Sequence, residues 1–282
     1  MLVFWILPIL FTFAISFTKW DGFNAMQFIG IENYKHLFLE DGRFFKSLFN
    51  TVVIMGLSIP VTLVLALIFA YILSGKALYA KRFLQLGVFL PYIMTPVAVG
   101  IIFALLFDQH YGFVNRILMY LHIIQSPLPW LGNEWLARIT LAIALIWMYC
   151  GYQMILLMSG MSMISEDVYD AARIDGANTR QVFFRITLPL LKGVLVFVVI
   201  TSLIGGFQLF DEPLLLFNSS LSGKFPIGGP DNAALTMSLF FYNESYTNFN
   251  FGYGAAISYM MFVVIALISF VSMKIMDRGD RL

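Results

Sequence analysis

The sequence predicts an all-α polytopic membrane protein with six transmembrane helices and a folded loop of two short helices after the fourth. Of the 282 residues, 60% are hydrophobic and only 12% are charged, whereas about 25% of residues in soluble domains are charged. Six apolar runs approach or exceed the roughly 20 residues that a spanning helix needs. No repeat or low-complexity linker separates them, so residues 1–282 are predicted to form one domain.

The predicted spans follow from the apolar runs. They are residues 1–18, 48–73, 83–107, 137–163, 188–210 and 254–276. The first run lacks the basic start and the small-residue cleavage site of a signal peptide, so a transmembrane helix is preferred. Pro60 is expected to kink the second span, and the third span contains Pro91 and Pro96.

The segments between the spans are expected to carry short helices and interfacial aromatic residues. Residues 19–47 are predicted to form an interfacial loop with a helix around Glu32–Phe38. The tryptophans of 108–136 are typical of an aromatic belt. The long polar segment 211–253 is expected to contain a short re-entrant or interfacial helix over Ala233–Phe241.

The longest charged interval between two apolar runs is Ser165–Pro189, SEDVYDAARIDGANTRQVFFRITLP. Its pattern predicts two short helices around a break. Asp170 and Arg173 lie i,i+3 apart in the first helix and can pair. Gly176 is a natural stop, and a capping box at 178–181 can start the second helix. On this pattern alone, an amphipathic connector lying on the membrane surface is an equally good interpretation.

The same interval resembles a motif of a known family. DAARIDGA followed by ITLP is similar to the EAA loop of bacterial ABC importer permeases, in which E-A-A precedes a Gly and then I-x-x-P. Here Asp170 replaces the usual Glu, whereas Arg173, Asp175 and Ala177 match the maltose-permease-like sugar branch. FIGIENYKHLF, DQHYGFVN, GGPDNA and NFNFGYGAA also resemble this branch, so the likeness covers nearly the whole chain.

The resemblance implies the permease subunit of an ATP-driven importer that moves a sugar, in particular an oligosaccharide. In this family two permease chains form the pore, and the second is usually a different, homologous chain. Two ATPase subunits bind ATP and Mg²⁺, and an external solute-binding protein delivers the sugar. The chain itself is therefore expected to hold no cofactor. Its net charge of +1 gives no reason to expect a nucleic-acid partner.

The resemblance also implies which residues couple the pore to ATP hydrolysis. In the family, the EAA loop fits a surface cleft of the ATPase and transmits its closure to the pore. Carried over residue by residue, this role falls on Asp170, Ala171, Ala172, Arg173, Asp175, Gly176, Ala177, Ile186 and Pro189.

A sugar site needs hydrogen bonds to hydroxyl groups and an aromatic surface for C–H faces. Polar or aromatic residues at span depth near irregular backbone meet this need. The substrate-binding candidates are Tyr152, Gln153, Phe207, Gln208 and Asp211. Helix–helix packing with an internal hydrogen bond explains the same residues equally well.

The end of the fifth span is expected to be irregular. Gly205-Gly206 weakens the helix, and Pro213 disfavours regular helix just beyond it. On a helix that continues to Asp211, Gln208 and Asp211 share one face. Irregular backbone is not tolerated against lipid, so this stretch is predicted to line a cavity.

The sequence predicts neither an enzyme nor a metal site. His36, His110 and His122 lack metal-ligand spacing, and no Walker-type phosphate loop occurs in the chain. Energy for transport must then come from a partner or an ion gradient. The span centres are nearly free of charge, which disfavours an ion-driven secondary transporter. A permease for another small polar solute is a further alternative.

Basic residues predict the orientation of the chain. Ten Lys and Arg residues lie in 74–82, 161–192 and the C-terminal tail, against six in 19–47, 108–136 and 211–253. The first group is therefore predicted to face the cytoplasm. Both termini and the two-helix loop then lie inside a multi-pass protein of the bacterial cytoplasmic membrane.

Overall fold

Helices dominate the computed structural model, which describes residues 2–75, 80–217 and 227–278. The described helices are α1 (Leu2–Ile15), α2 (Glu32–Lys35), α3 (Gly42–Ser74), α4 (Lys81–Ile93), α5 (Pro96–Leu106), α6 (Phe113–Tyr120), α7 (Glu134–Ser162), α8 (Glu166–Ile174), α9 (Thr179–Val182), α10 (Leu188–Leu190), α11 (Lys192–Phe207), α12 (Asp211–Phe217), α13 (Met237–Tyr242) and α14 (Phe251–Arg278). Tighter or wider turns extend this set: π turns at His36–Glu40, Phe183–Thr187 and Asn243–Thr247, and a 3₁₀ turn at Pro230–Asn232. The all-α prediction needs one correction, because β1 (Thr18–Lys19) and β2 (Gln27–Phe28) form a short antiparallel pair.

The long apolar helices account for most of the predicted spans. Among the described residues, α3, α7 and α14 are each long and apolar enough to cross a membrane. Two bent pairs, α4 with α5 and α9–α10 with α11, raise the number to five if each pair is one span. The helix α1 has 14 residues, or about 21 Å at 1.5 Å per residue, and is shorter than a bilayer core of about 30 Å. The count of six spans therefore stays a prediction.

The third predicted span, 83–107, is bent in the structure, with 97° between its two helices. Helix α4 ends at Ile93 and α5 begins at Pro96, and the two residues between them are extended, with ψ of 146° and 142°. A proline ring drives the preceding residue out of the helical region. Thr95 therefore leaves the helix and caps α5, where its Oγ1 accepts from the Ala98 N–H at 3.4 Å.

Pro60 and Pro213 do not divide a helix as Pro96 does. Helix α3 continues through Pro60 without a break, and the expected kink there stays a prediction. The sequence led us to expect that Pro213 would disfavour regular helix. Instead, Pro213 lies in the first turn of α12. A first turn has no intrahelical use for the missing N–H, so proline is tolerated there. The irregular backbone is thereby confined to 208–210.

The chain separates into two compact units. The first comprises residues 1–55, 95–142 and 204–270, and the second comprises 56–94, 143–203 and 271–282. This division does not test the prediction of one domain, which stays a prediction. Three basic residues used to predict orientation, Lys76, Lys224 and Arg281, lie outside the described residues.

The second unit is built on close contact between apolar helices. Its core consists of Ala66, Ala70, Leu73, Cys150, Met154, Leu157, Met161 and Leu191. Small residues allow membrane helices to approach closely, and Gly151 of α7 shows this directly. A Cβ atom there would overlap the Val88 carbonyl and lie 2.6 Å from the Phe89 Cα of α4. The two helices thus touch backbone to backbone.

The core of the first unit lies in a segment that the sequence suggested was polar. Ala233, Ala234, Leu235, Met237, Leu239 and Phe240 are all buried. The expected short helix over Ala233–Phe241 is found in part, as α13, which begins at Met237. A side chain of α3 binds the backbone of this segment. Asn50 Nδ2 donates to the Asn232 carbonyl at 2.6 Å and to the Leu235 carbonyl at 3.1 Å.

Candidate functional sites

The loop at 165–189 is folded by local hydrogen bonds. Ser165 caps α8, its Oγ accepting from the Asp167 N–H at 3.3 Å. Gly176 ends that helix with φ of +76°, a left-handed conformation that glycine adopts without a Cβ clash. The Asn178 side chain accepts from the Gln181 N–H at 2.9 Å, and the Gln181 side chain accepts from the Asn178 N–H at 2.8 Å. The predicted break and capping box are therefore both confirmed.

One side of this loop packs against its own unit. Ala172 of α8 is buried, and the hydroxyls of Tyr169 and Thr187 lie 3.5 Å apart. The ring of Phe183 packs edge-on against Tyr71 of α3, with centroids 4.8 Å apart. These contacts join the two halves of the loop to each other and fix the second half to α3 near its end.

The other side of the loop is open and carries both charge and apolar surface. Arg173 donates to Asp170 at 2.8 Å, as the spacing predicted, and both side chains are largely exposed. Ile174 is 86% exposed and Phe184 is 63% exposed. Two open apolar side chains therefore lie among charges on this face of the loop.

The nine residues to which the resemblance assigns coupling differ in exposure. Exposed are Asp170, Ala171, Arg173, Asp175, Gly176 and Pro189; half-buried are Ala177 and Ile186; buried is Ala172. Most of the set is therefore available to a partner, whereas Ala172 packs within this chain.

Two of the five substrate-binding candidates lie in the second unit. The Tyr152 ring stacks on Tyr92, with centroids 4.7 Å apart and planes 15° from parallel. Gln153 is 4% exposed, and its Nε2 donates to Ser202 Oγ at 3.0 Å. The Gln153 Oε1 has no hydrogen-bond partner among the described residues. An acceptor left unpaired in a buried site costs free energy.

The other three candidates lie in the first unit, and here two expectations are wrong. Helix α11 ends at Phe207, so Gln208 and Asp211 do not share a face of a continuing helix. The Phe207 ring is 1% exposed and, in this conformation, offers no face to a sugar. Gln208 and Asp211 are both exposed, on either side of the short irregular stretch. The glycine pair Gly205-Gly206 ends the helix sooner than the sequence pattern indicated.

A buried charged cluster in the first unit was missed by sequence reasoning. Arg43 donates to Asp41 at 2.7 Å and to Glu244 at 2.7 Å, and Tyr253 donates to Asp41 at 2.9 Å. Glu244 is 2% exposed, and Asn248 Nδ2 donates to it at 3.0 Å. Arg43 and Glu244 are 201 positions apart in the chain, so no local pattern connects them.

The carboxyl of Asp41 responds to two opposing influences. Its burial raises the pKa, but hydrogen bonds from Arg43 and Tyr253 and the charge of Arg43 outweigh burial and hold the pKa below its ordinary value. The carboxylate form is therefore favoured in the folded chain. The cluster lines part of a polar cleft of about 1290 Å³ in the same unit.

No metal centre is found among the residues that the structure describes. Within them, no group of three or more His, Cys, Asp or Glu side chains could hold a metal ion. The expectation that this chain binds neither metal nor cofactor stays a prediction.

These features are those of a membrane protein with a folded surface loop, and comparison with known sequences gives its family. The sequence model of the family described as "binding-protein-dependent transport system inner membrane component" matches residues 37–281. The chain therefore belongs to this family of transport permeases, whose members carry solutes rather than act as enzymes.

Curated relatives match over most of their length. The lactose transport system permease protein LacF of Rhizobium radiobacter is 34% identical over 95% of this chain and 87% of its own length. The trehalose/maltose transport system permease protein MalF of Thermococcus litoralis is 34% identical over 97% of this chain and 88% of its own. The arabinooligosaccharides transport system permease protein AraP of Bacillus subtilis is 31% identical over 97% and 84%.

A solved structure supports the fold. A chain of a bacterial ABC transporter involved in the import of the acidic polysaccharide alginate superimposes with a TM-score of 0.78, covering 98% of this chain and 91% of its own. Its sequence identity is 21%, so the likeness bears on the fold alone.

Proposed function

We propose that this chain is the permease subunit of an ATP-driven importer that moves a sugar, in particular an oligosaccharide, across the bacterial cytoplasmic membrane. The observation that carries the proposal is the loop at 165–189, which is capped, rigidly packed on one side and exposed on the other. The relatives named above support the solute class, since they are permeases for lactose, trehalose/maltose and arabinooligosaccharides.

The loop acts as a mechanical connection to an ATPase partner. Its exposed Ile174 and Phe184 supply apolar contact, and the charges around Asp170 and Arg173 set register and partner choice. The local caps keep α8 and α9 rigid when a partner groove moves, so closure of the groove on ATP moves the helices behind the loop. The EAA-like residues Asp170–Ala177, Ile186 and Pro189 perform this coupling.

The remaining subunits follow from this assignment. A second permease chain, homologous but different, completes the pore. Two ATPase subunits bind ATP and Mg²⁺, because the sequence predicts no ATP site in this chain. An external solute-binding protein delivers the sugar. Both termini and the 165–189 loop lie on the cytoplasmic side.

Reconstitution tests the proposal directly. The chain, co-purified with its partners and placed in liposomes with the solute-binding protein, should take up radiolabelled lactose, maltose or trehalose only when ATP reaches the ATPase. Collapse of ion gradients by ionophores should leave uptake unchanged. ATP-independent uptake that ionophores abolish would instead establish an ion-driven carrier, and uptake of another polar solute alone would exclude sugar as the substrate.

Thiol labelling tests the orientation. Thr179 lies at the exposed start of α9, and the free Cys150 is buried. A Thr179→Cys variant in a Cys150→Ser background should react with a membrane-impermeant maleimide only after permeabilisation. Labelling in intact cells would place the loop outside and contradict the coupling role.

Mutation of Asp211 tests the solute path. Gln208 and Asp211 are exposed beside irregular backbone in the first unit, and we assign them to sugar binding; Tyr152 and Gln153 are separate candidates in the second unit. A hydrogen bond from a sugar hydroxyl to a charged group contributes about 1.5–3 kcal/mol, so Asp211→Ala should lower uptake by roughly one to two orders of magnitude. Stimulation of ATP hydrolysis by the loaded binding protein should persist, since the coupling loop is unchanged. Wild-type uptake in both Asp211→Ala and Gln208→Ala would move the site elsewhere.

A further inference from the structure

The end of α11 leaves carbonyl groups that need partners. The last four carbonyls of a helix have no intrahelical donor, and α11 stops at Phe207 while α12 begins only at Asp211. Hydrogen bonds between residues three apart form at this end of the helix. The Gln208 N–H donates to the Gly205 carbonyl at 3.1 Å, and the Leu209 N–H donates to the Gly206 carbonyl at 3.4 Å. The carbonyls of Phe207 and Leu209 receive no backbone donor in this way.

Two hydroxyl groups from a distant part of the chain fill these positions. Thr236 Oγ1 donates to the Leu209 carbonyl at 2.6 Å, and Ser238 Oγ donates to the Phe207 carbonyl at 3.2 Å. The Thr236 hydroxyl also caps α13, where it accepts from the Leu239 N–H at 3.3 Å. Thr236 is 0% exposed. One buried hydroxyl therefore joins the start of α13 to the broken end of α11.

The segment that carries these hydroxyls is itself firmly held. The Met237 N–H donates to Thr51 Oγ1 of α3 at 3.2 Å. Asn50, one residue earlier, binds the carbonyls on the other side of Thr236 as described above, and its Oδ1 accepts from Arg138 Nε at 3.0 Å. Arg138 is buried. The segment around Thr236 is thus held by Asn50 and Thr51 of α3, and Asn50 is in turn bonded to α7.

Both flanks of the break are also fixed. A Cβ atom on Gly206 would lie 2.7 Å from Met55 Cγ, so α11 closely contacts α3. On the far side, a Cβ atom on Gly100 of α5 would lie 3.0 Å from Leu215 Cβ of α12. Gln208 and Asp211 lie between these two contacts, and their side chains are exposed. The direction of the backbone that carries them depends on the bonds from Thr236 and Ser238.

We infer that Thr236 and Ser238 are positioning residues for solute recognition, which hold the peptide groups at 207–209 so that Gln208 and Asp211 face the sugar. This inference rests on the proposed function, since it assumes that Gln208 and Asp211 form part of the sugar site. It adds that the geometry of that site is set by the 236–238 segment. The two hydroxyls would therefore influence which sugar is moved, although they do not contact the sugar themselves.

The test uses the co-purified complex in liposomes with its binding protein and radiolabelled lactose, maltose or trehalose as probes. Thr236→Val keeps the shape of the side chain but removes both the bond to Leu209 and the cap on the Leu239 N–H. Sugar moved per ATP hydrolysed should fall about tenfold or more, because at least the buried hydrogen bond that holds the break is lost, and the ratio of uptake among the three sugars should change. Thr236→Ser should restore both quantities, because the hydroxyl is retained.

The chain offers a matched control and a milder variant. Thr140 is also fully buried, and its Oγ1 has no hydrogen-bond partner within the described part of the chain. Thr140→Val should therefore leave sugar per ATP and the uptake ratio unchanged. Ser238→Ala keeps the Thr236 bond and should give a smaller change in the same direction, even if Thr236→Val fails to assemble.

The outcomes separate this inference from the proposed function. Misfolding lowers uptake and ATP hydrolysis together and leaves their ratio constant, so an unchanged ratio in Thr236→Val and Ser238→Ala overturns the positioning role. If Asp211→Ala and Gln208→Ala reduce uptake while the two hydroxyl variants do not, only the present inference is wrong. If neither pair has an effect, the sugar site and the inference fall together.

Discussion

The loop at 165–189 and the segment at 228–250 both carry charges between apolar helices, yet they are held in opposite ways. In the loop, the Asp170–Arg173 pair spans three positions and is largely exposed, and the caps join residues two or three apart. In the segment, Glu244 is buried and pairs with Arg43, 201 positions away. The backbone of 232–237 is likewise bonded to α3.

The difference shows what each region is suited to do. A loop folded by its own neighbours keeps its shape when its outer face meets another protein, so it can transmit force. A segment folded by distant residues depends on them for its shape, and its bonds from Thr236 and Ser238 connect it to the helix break at 208–210. The following predictions test this contrast.

Loss of the buried pair should have the largest effect. Glu244→Ala removes a buried carboxylate that accepts from Arg43 and from Asn248, and a hydrogen bond to a charged group contributes about 1.5–3 kcal/mol. Because Arg43 keeps Asp41 as a partner and is 40% exposed, the expected loss is about 2 kcal/mol. Thermal unfolding of the purified chain in detergent should show a lowered Tm.

The matched control is the exposed pair of the loop. Asp170→Asn removes one member of a pair whose side chains are 60% and 74% exposed, and such pairs contribute at most about 1 kcal/mol. Its Tm should stay close to that of the wild type. Equal shifts in the two variants would show that burial does not distinguish the two regions.

Two substitutions at Gly176 should differ in their effect on coupling. Its φ of +76° cannot be adopted by proline, whose ring holds φ near −65°, so Gly176→Pro should break the turn between α8 and α9. Sugar moved per ATP hydrolysed should fall by about tenfold or more, since the coupling surface is disrupted. Insertion into the membrane and binding of the ATPase should persist.

Gly176→Ala is the graded control. No atom lies within 4 Å of a Cβ built at this position, so only the left-handed strain of about 1–2 kcal/mol remains. Coupling should decline only slightly in this variant. Normal uptake by a Gly176→Pro chain that still binds its ATPase would show that the turn has no part in coupling.

The smallest expected effect is a pH dependence that belongs to the first unit. The pKa of Asp41 lies below its ordinary value of 3.8 in the folded chain, so its carboxylate stabilises the fold above that value. This contribution is lost as the pH falls below 3.8 and through the lower folded-state pKa. Tm measured between pH 6 and pH 3 should fall less steeply in Asp41→Asn than in the wild type; parallel curves would contradict this assignment.

The same contrast explains what the sequence could predict. The loop followed from its sequence because Gly176, Asn178 and Gln181 act on their immediate neighbours, and the structure confirms their caps. The apolar helices followed from hydropathy, but the division of the third span before Pro96 did not. That division could have been predicted, because the proline ring disfavours a helical conformation at the preceding residue, Thr95. Local rules sufficed for these features.

The candidate solute site was predictable only in part. Gly205-Gly206 indicated a weak point, but the donors that satisfy the carbonyls of Phe207 and Leu209 come from Ser238 and Thr236. The burial of Phe207 likewise follows from packing within the first unit. These hydroxyl donors lie 27 and 31 positions away, and no hydrophobic period or capping pattern carries that information.

The contact at Gly151 has a consequence for which residue this position accepts. Between most helices a layer of side chains allows small sliding and rotation, but α4 and α7 meet there without such a layer. A side chain larger than hydrogen at position 151 would therefore push the two backbones apart, so the spacing of α4 and α7 tolerates only glycine there.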